Sequence, residues 1–264
     1  MFRALRTASL GMSAQQMSVD NIANNLSNVN TTGFKRSSIA FQDLFYQTLA
    51  SSRSGSAVNN TSNDGPELQV GHGSRPVSSI RNFMQGPLSE TGSSLDLAIN
   101  GTGFFQVEKP DGSIGYTRDG NFSLNSMGLM VNSSGLPLAD FIEIPPDAVA
   151  VQISQDGIVM AQLQGEPNPV DLGQIELAKF VNPSGLRAIG DNLFDETASS
   201  GQPFFGVPGM DGFGTIQQGY LEQSNVDIVN EMVNLIVAQR AYETNSKMVQ
   251  TAEEMMAMTN AIKR

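Results

Sequence analysis

The 264-residue sequence contains no cysteine, no tryptophan and a single histidine, and only 16% of its residues are charged. Without cysteine there is neither a disulfide framework nor a thiolate metal site. His72 has no second imidazole to share a metal with, and its place between Gly71 and Gly73 predicts a solvent-facing turn. No run approaches the roughly 18 uninterrupted apolar residues of a membrane-spanning helix. The first residues, Met1-Phe2-Arg3-Ala4-Leu5-Arg6, carry charge, but Ser9, Ser13, Gln15 and Gln16 break the apolar segment that a cleavable secretory signal requires. Phosphate loops, Gly-x-Ser-x-Gly elbows and His-x-x-x-His pairs are missing too. The expectation is a protein that is not an enzyme and uses no cofactor.

The net charge of −11 is unevenly placed. Residues 1–36 hold four cations and one anion, residues 224–264 four cations and five anions, and the middle seven cations against twenty anions. An acidic middle between nearly balanced ends argues against a nucleic-acid partner. Twenty carboxylates could contain the paired acids of a peptidoglycan hydrolase, but nothing singles out a pair. The pairs Asp111-Gly112, Asp119-Gly120, Asp156-Gly157 and Asp211-Gly212 lack the alternating ligands of a calcium loop and read as hairpin turns.

What the chain does have is an amphipathic helix at each end. Leu5, Ala8, Met12, Gln15, Val19, Ile22, Leu26 and Val29 alternate spacings of three and four, a heptad seam. Near the other end Ile228, Leu235, Tyr242, Val249 and Met256 recur every seventh residue, with Ala238, Asn245, Ala252 and Thr259 three residues after the last four. Ser224 is a plausible N-cap for a second helix from Asn225 to about Ile262. Neither helix has a helical neighbour in sequence, so each must bury its stripe against the other or against another molecule. The amides of Asn21, Asn24, Asn25 and Asn28 weaken an isolated helix and suit hydrogen bonds across a helical assembly.

Between the helices, Phe41, Leu44, Phe45 and Leu49 suit a short helix or an extended arm. Residues 50–65 are Ser, Asn and Gly with little to bury, a loop or a hairpin lying along neighbours. From Leu68 to Leu221 short apolar runs alternate with turn residues, the pattern of antiparallel strands. The expected class is α+β. Residues 1–33 with 223–264 form a coiled-coil-like helical layer, 34–82 an extended linking arm or hairpin, and 83–222 a β-rich domain.

Three segments then point to a family. Asn24-Asn25-Leu26-Ser27-Asn28-Val29-Asn30-Thr31-Thr32-Gly33-Phe34-Lys35 resembles the N-terminal signature of axial proteins of the bacterial flagellum. Leu97-Ala98-Ile99-Asn100-Gly101-Thr102-Gly103-Phe104-Phe105-Gln106-Val107, followed by Tyr116-Thr117-Arg118-Asp119-Gly120-Asn121-Phe122, is similar to the β core of rod and hook proteins. Gly219-Tyr220-Leu221-Glu222-Gln223-Ser224-Asn225-Val226-Asp227, with Gln239-Arg240-Ala241-Tyr242-Glu243, is similar to their C-terminal helix. The signature positions are Asn24, Asn25, Asn28, Gly33, Phe34, Gly101, Gly103, Phe104, Tyr116, Arg118 and Gly120. Length and the segment from Gly71 to Val77 are most like the distal rod member; the proximal rod paralogue is the alternative.

The resemblance implies a structural subunit that polymerises helically into a hollow drive shaft carrying torque from motor to hook. It implies export through the flagellar type III apparatus without a cleaved signal, and a place in the basal body, in a rod that spans the periplasm. Implied partners are copies of itself, proximal rod proteins, the hook protein, and the ring proteins of the outer membrane and peptidoglycan. Leu5, Met12, Val19, Ile22 and Leu26 are expected to pack on Ile228, Leu235, Tyr242, Val249 and Met256.

Overall fold

The computed structural model describes residues 2–50, 68–165 and 168–262, and these fall into two compact units. One unit takes residues 1–24, 37–80 and 229–264; the other takes 25–36 and 81–228. The arm expected over 34–82 is thus shared. Its first residues and its last two belong with the β-rich unit, for reasons that lie in the partners of Gly33 and Lys35.

The helical unit is built on α1, Phe2–Ser27, and α2, Ile228–Ile262, whose ends extend into the other unit. At 1.5 Å per residue α2 is roughly 52 Å long. It begins three residues later than the N-cap reading of Ser224 allows. The Ser224 hydroxyl accepts from the N–H of Val226, and the Asn225 amide is taken up by backbone groups of the β unit, so this stretch stays non-helical. The two helices run antiparallel. Gly11 lies against Asn245, and further along α1 Gln16 and Val19 share a groove with Gln239 and Tyr242, earlier in α2.

Residues 37–80 are extended rather than helical. The strand Ser37–Asp43 pairs with Ser74–Arg81, and Tyr46–Ala50 pairs antiparallel with Leu68–Gly71. The Ser/Asn-rich stretch expected to be a loop or hairpin tip lies mostly outside the described residues. His72 is half-buried, with Nδ1 3.0 Å from the carbonyl oxygen of Phe45.

The β unit is a stack of small antiparallel sheets around two apolar clusters. The larger contains Leu97, Ile99, Phe105, Val107, Met130, Ile175, Leu177 and Ile216; the smaller contains Phe104, Tyr116, Phe180 and Phe194. Successive side chains of a strand point to opposite faces. The dipeptide Phe104-Phe105 therefore feeds both clusters, with Phe105 edge-on to Phe122 at 5.3 Å and Phe104 edge-on to Phe180 at 5.8 Å. Asp111-Gly112 and Asp156-Gly157 turn hairpins, joining Phe105–Glu108 to Ile114–Thr117 and Ala148–Ile153 to Ile158–Leu163. Asp119-Gly120 turns no hairpin; Gly120 instead passes hard against the backbone of Leu97.

Asp140 is half-buried at the edge of the larger cluster, its Oδ2 accepting from the N–H of Glu176 at 3.1 Å. Burial pushes this carboxyl up to about 6, and the charge of Glu176 adds to it. Its folded pKa thus lies above the unfolded value of about 3.9. The stability linked to its proton is complete below about pH 4 and is lost as pH rises through about 6. Asp140→Asn keeps an acceptor for Glu176 and removes the charge. It is expected to stabilise the β unit by about 1–2 kcal/mol at pH 7.5, a figure discounted for partial solvation, with most of the gain gone by about pH 4. Melting curves at the two pH values check this; an equal gain at both would assign the effect to packing.

Candidate functional site

Along α2 the seam positions are unequal. Ala238 and Ala252 are buried, Leu235, Asn245, Val249 and Met256 half-buried, while Ile228 and Tyr242 are 46% and 43% exposed. Small side chains at the closest approach let the backbones come together, and the larger residues beside them straddle the contact. On α1, Ala8, Ala14 and Ile22 are buried, with Leu5, Met12, Val19 and Leu26 half-buried. At 100° per residue Val229, Met232, Val233 and Ile236 lie on the side of α2 opposite its seam, and each is more than half exposed. The helix therefore presents two apolar faces, only one of which is covered.

The three signature segments meet inside the β unit, around a carboxylate. Glu222 Oε1 accepts from Lys35 Nζ at 2.5 Å and from the N–H of Gly86 at 2.8 Å. Glu222 Oε2 accepts from Arg118 Nη1 at 3.3 Å. The side chains of Lys35 and Glu222 are fully enclosed. Lys35 also donates to the carbonyl of Met84 at 2.8 Å, and Arg118 Nη2 to that of Gly101 at 2.6 Å. The Arg118 guanidinium lies 5.4 Å from the centre of the Phe104 ring. Burial pulls the Lys35 ammonium below its ordinary value against the opposing effect of Glu222, and burial lowers Arg118 as well.

Glycines make the junction close. The N–H of Gly33 donates to the carbonyl of Glu222 at 2.8 Å, and Gly33 has φ +67° with backbone atoms of Arg118 and Asp119 under 3 Å from where a Cβ would sit. Beside it the Thr32 hydroxyl donates to Asp119 Oδ1 at 2.8 Å, and Asn192 Nδ2 donates to the Thr32 carbonyl at 3.1 Å. Gly103 packs on Leu177, while Phe34 and Tyr116 are buried.

The asparagines divide differently. Asn21 Nδ2 donates to the Ser37 hydroxyl at 2.7 Å, Asn28 Oδ1 accepts from the Thr31 hydroxyl, Asn25 is buried and Asn24 exposed. Lys35, Asp119 and Glu222 lie inside the family-like segments, but nothing in the sequence joins them to one another or to Asn192, since their partners are remote in the chain. The only local signal was a charged residue directly after an apolar one, Phe34-Lys35 and Leu221-Glu222.

Chemically the arrangement binds segments together. Among the described residues no group of three or more His, Cys, Asp or Glu is placed to hold a metal, and no helix is long and apolar enough to cross a membrane.

Three family models match the chain in order. Residues 5–35 match the flagella basal body rod protein model, 98–161 the flagellar hook protein FlgE/F/G D1 domain, and 217–262 the C-terminal model of the flagellar basal body rod FlgEFG proteins. The chain is 48% identical over 266 residues to flagellar basal-body rod protein FlgG of Borreliella burgdorferi, covering 100% of both chains. It is 48% identical over 262 residues to FlgG of Caulobacter vibrioides, covering 99% of each. Against flagellar basal-body rod protein FlgF of Caulobacter vibrioides, identity is 36% over 260 residues, with 93% of each covered.

Proposed function

The chain belongs to the flagellar basal-body rod protein family as a structural subunit of the distal rod, and from that premise we propose how it does its work. Copies polymerise helically into a hollow shaft spanning the periplasm. The shaft joins the proximal rod proteins to the hook protein, turns inside the outer-membrane and peptidoglycan rings, and transmits torque. Each subunit reaches the growing end through the flagellar type III export apparatus without a cleaved signal.

The observation that carries this reading is the second apolar face of α2. Val229, Met232, Val233 and Ile236 are each more than half exposed on the side opposite the seam. An exposed apolar stripe of this kind marks an interaction surface. Within a polymer, the seam residues Leu5, Met12, Val19, Ile22 and Leu26 hold α1 to Leu235, Val249 and Met256 of α2. Ile228, Tyr242 and the opposite face meet other copies.

The double substitution Val233→Asp with Ile236→Asp separates the two faces. It is expected to leave the melting temperature of the β unit within about 2 °C, as for surface changes. The sedimentable, filament-forming fraction should fall at least about tenfold, because two desolvated carboxylates have no partner. Normal filaments from this variant would remove the second face from the assembly.

A further inference from the structure

The outer strand of the three-stranded sheet, Ala148–Ile153, and the strand Phe122–Leu124 border an open groove of about 370 Å³. Leu95, Leu124, Met127, Ile144 and Val149 contribute apolar wall, and none of the residues lining it is charged. Met127 and Val149 are among the most exposed apolar side chains of the unit. Glu143 and Asp147, both exposed, flank the lining residues Ile144 to Pro146 and put carboxylates on the rim.

The same unit carries a shape of the opposite kind. From Ser199 to Pro208 no residue is charged, and Phe204 and Phe205 in its middle are 57% and 50% exposed. Their strand, Phe204–Gly206, pairs with Leu177–Lys179 in a two-stranded sheet, with Lys179 opposite Phe204. Phe204 thus has a cation beside it, held by the Gly212 carbonyl at 3.2 Å and over the Phe213 ring, where the groove has two carboxylates.

We propose, resting on the reading of the chain as a self-assembling rod subunit, that Phe204 of one copy, which shares its strand face with Lys179, seats in this groove of the next. Lys179 then faces Glu143 and Asp147 across the joint. On a subunit of net charge −11, contact between copies requires patches that add no like charge, and both surfaces meet that condition. An aromatic side chain that fills an uncharged groove and is desolvated there is the usual anchor of an interface. Because knob and groove are different patches of one chain, the contact is heterologous, the kind that builds an open filament when the rotation between copies does not close a ring.

The absence of native cysteine makes the test clean. Full-length chains carrying Met127→Cys and Phe204→Cys are assembled together and mildly oxidised, with Val149→Cys and Phe204→Cys as a second pair in case the first disturbs folding. Each mixture is expected to give a covalent dimer, each single variant none, and the double variant a ladder. Polymer is scored independently by sedimentation. If sedimentable polymer forms but the mixtures stay uncrosslinked, or a single variant dimerises as well as its mixture, the docking site is wrong while the polymer reading stands. If the cysteine-free parent does not polymerise, the reading beneath it fails and the docking proposal with it.

Discussion

Replacing Glu222 with Gln is expected to lower the melting temperature of the β unit by about 6–20 °C, because breaking one partner out of a buried ion pair costs about 3–5 kcal/mol. Glu222 is fully enclosed and contacts two cations at once. With its charge removed, Lys35 and Arg118 face each other across a neutral amide. Their depressed pKa values already reflect how poorly the site tolerates positive charge. Lys35→Met removes a positive charge instead. The triad holds two cations and one carboxylate, so losing the ammonium leaves the Arg118–Glu222 pair balanced, while Glu222 Oε1 keeps the Gly86 N–H and the Met84 carbonyl keeps the Asn225 amide. That variant is expected to lose less than half as much. Calorimetry on the three proteins decides whether charge or packing holds the junction; equal melting temperatures for the two variants would sink the charge argument.

Terminal helices were legible because their signal is local. A stripe at spacings of three and four needs no knowledge of what lies opposite, and α1 and α2 occupy nearly the expected residues. The start of α2 was not legible. Ser224 has the chemistry of an N-cap, yet Asn225 next to it is claimed by Arg36, Asn82 and Met84, all far away in the chain. A heptad reading also ranks residues by size, whereas the closest helical approach selects small ones, which is why Ala238 and Ala252 are buried and Tyr242 is not.

The limits at the junction have the same origin. Gly33, Gly101, Gly103, Phe104, Tyr116, Arg118 and Gly120 were marked by resemblance, and the structure places them in one unit around Glu222 or against the adjoining clusters. Lys35 and Glu222 are 187 residues apart, and no periodicity connects them. Asp-Gly is so strong a hairpin dipeptide that all four pairs read alike, yet only Asp111-Gly112 and Asp156-Gly157 join paired strands, and Asp211-Gly212 is a turn between strands that pair elsewhere. Only the fold shows that Gly120 is there for space.

That difference carries the other large effect. A Cβ on Gly120 would overlap the carbonyl oxygen of Leu97, whereas one on Gly112 meets nothing within 4 Å. Gly112 has φ +78°, so alanine there carries only the cost of a left-handed residue, about 1–2 kcal/mol. At Gly120 the cost comes from the obstacle, and neither side can give way easily. Leu97 is fully buried, and its N–H donates to the Gly120 carbonyl at 3.0 Å. On the other flank, Asp119 is held by Thr32 and Asn192. Moving the Gly120 backbone therefore pulls on the larger core and on the N-terminal signature together. Gly120→Ala is expected to cost at least about 4 kcal/mol, the range reached only by overpacking or a broken buried network. It should lower the melting temperature of the β unit by about 8 °C or more. Gly112→Ala, measured alongside, is expected to melt within a few degrees of the parent. If Gly120→Ala melts no lower than Gly112→Ala, the close approach to Leu97 is not what the glycine is for, and the Asp-Gly pair reverts to a turn.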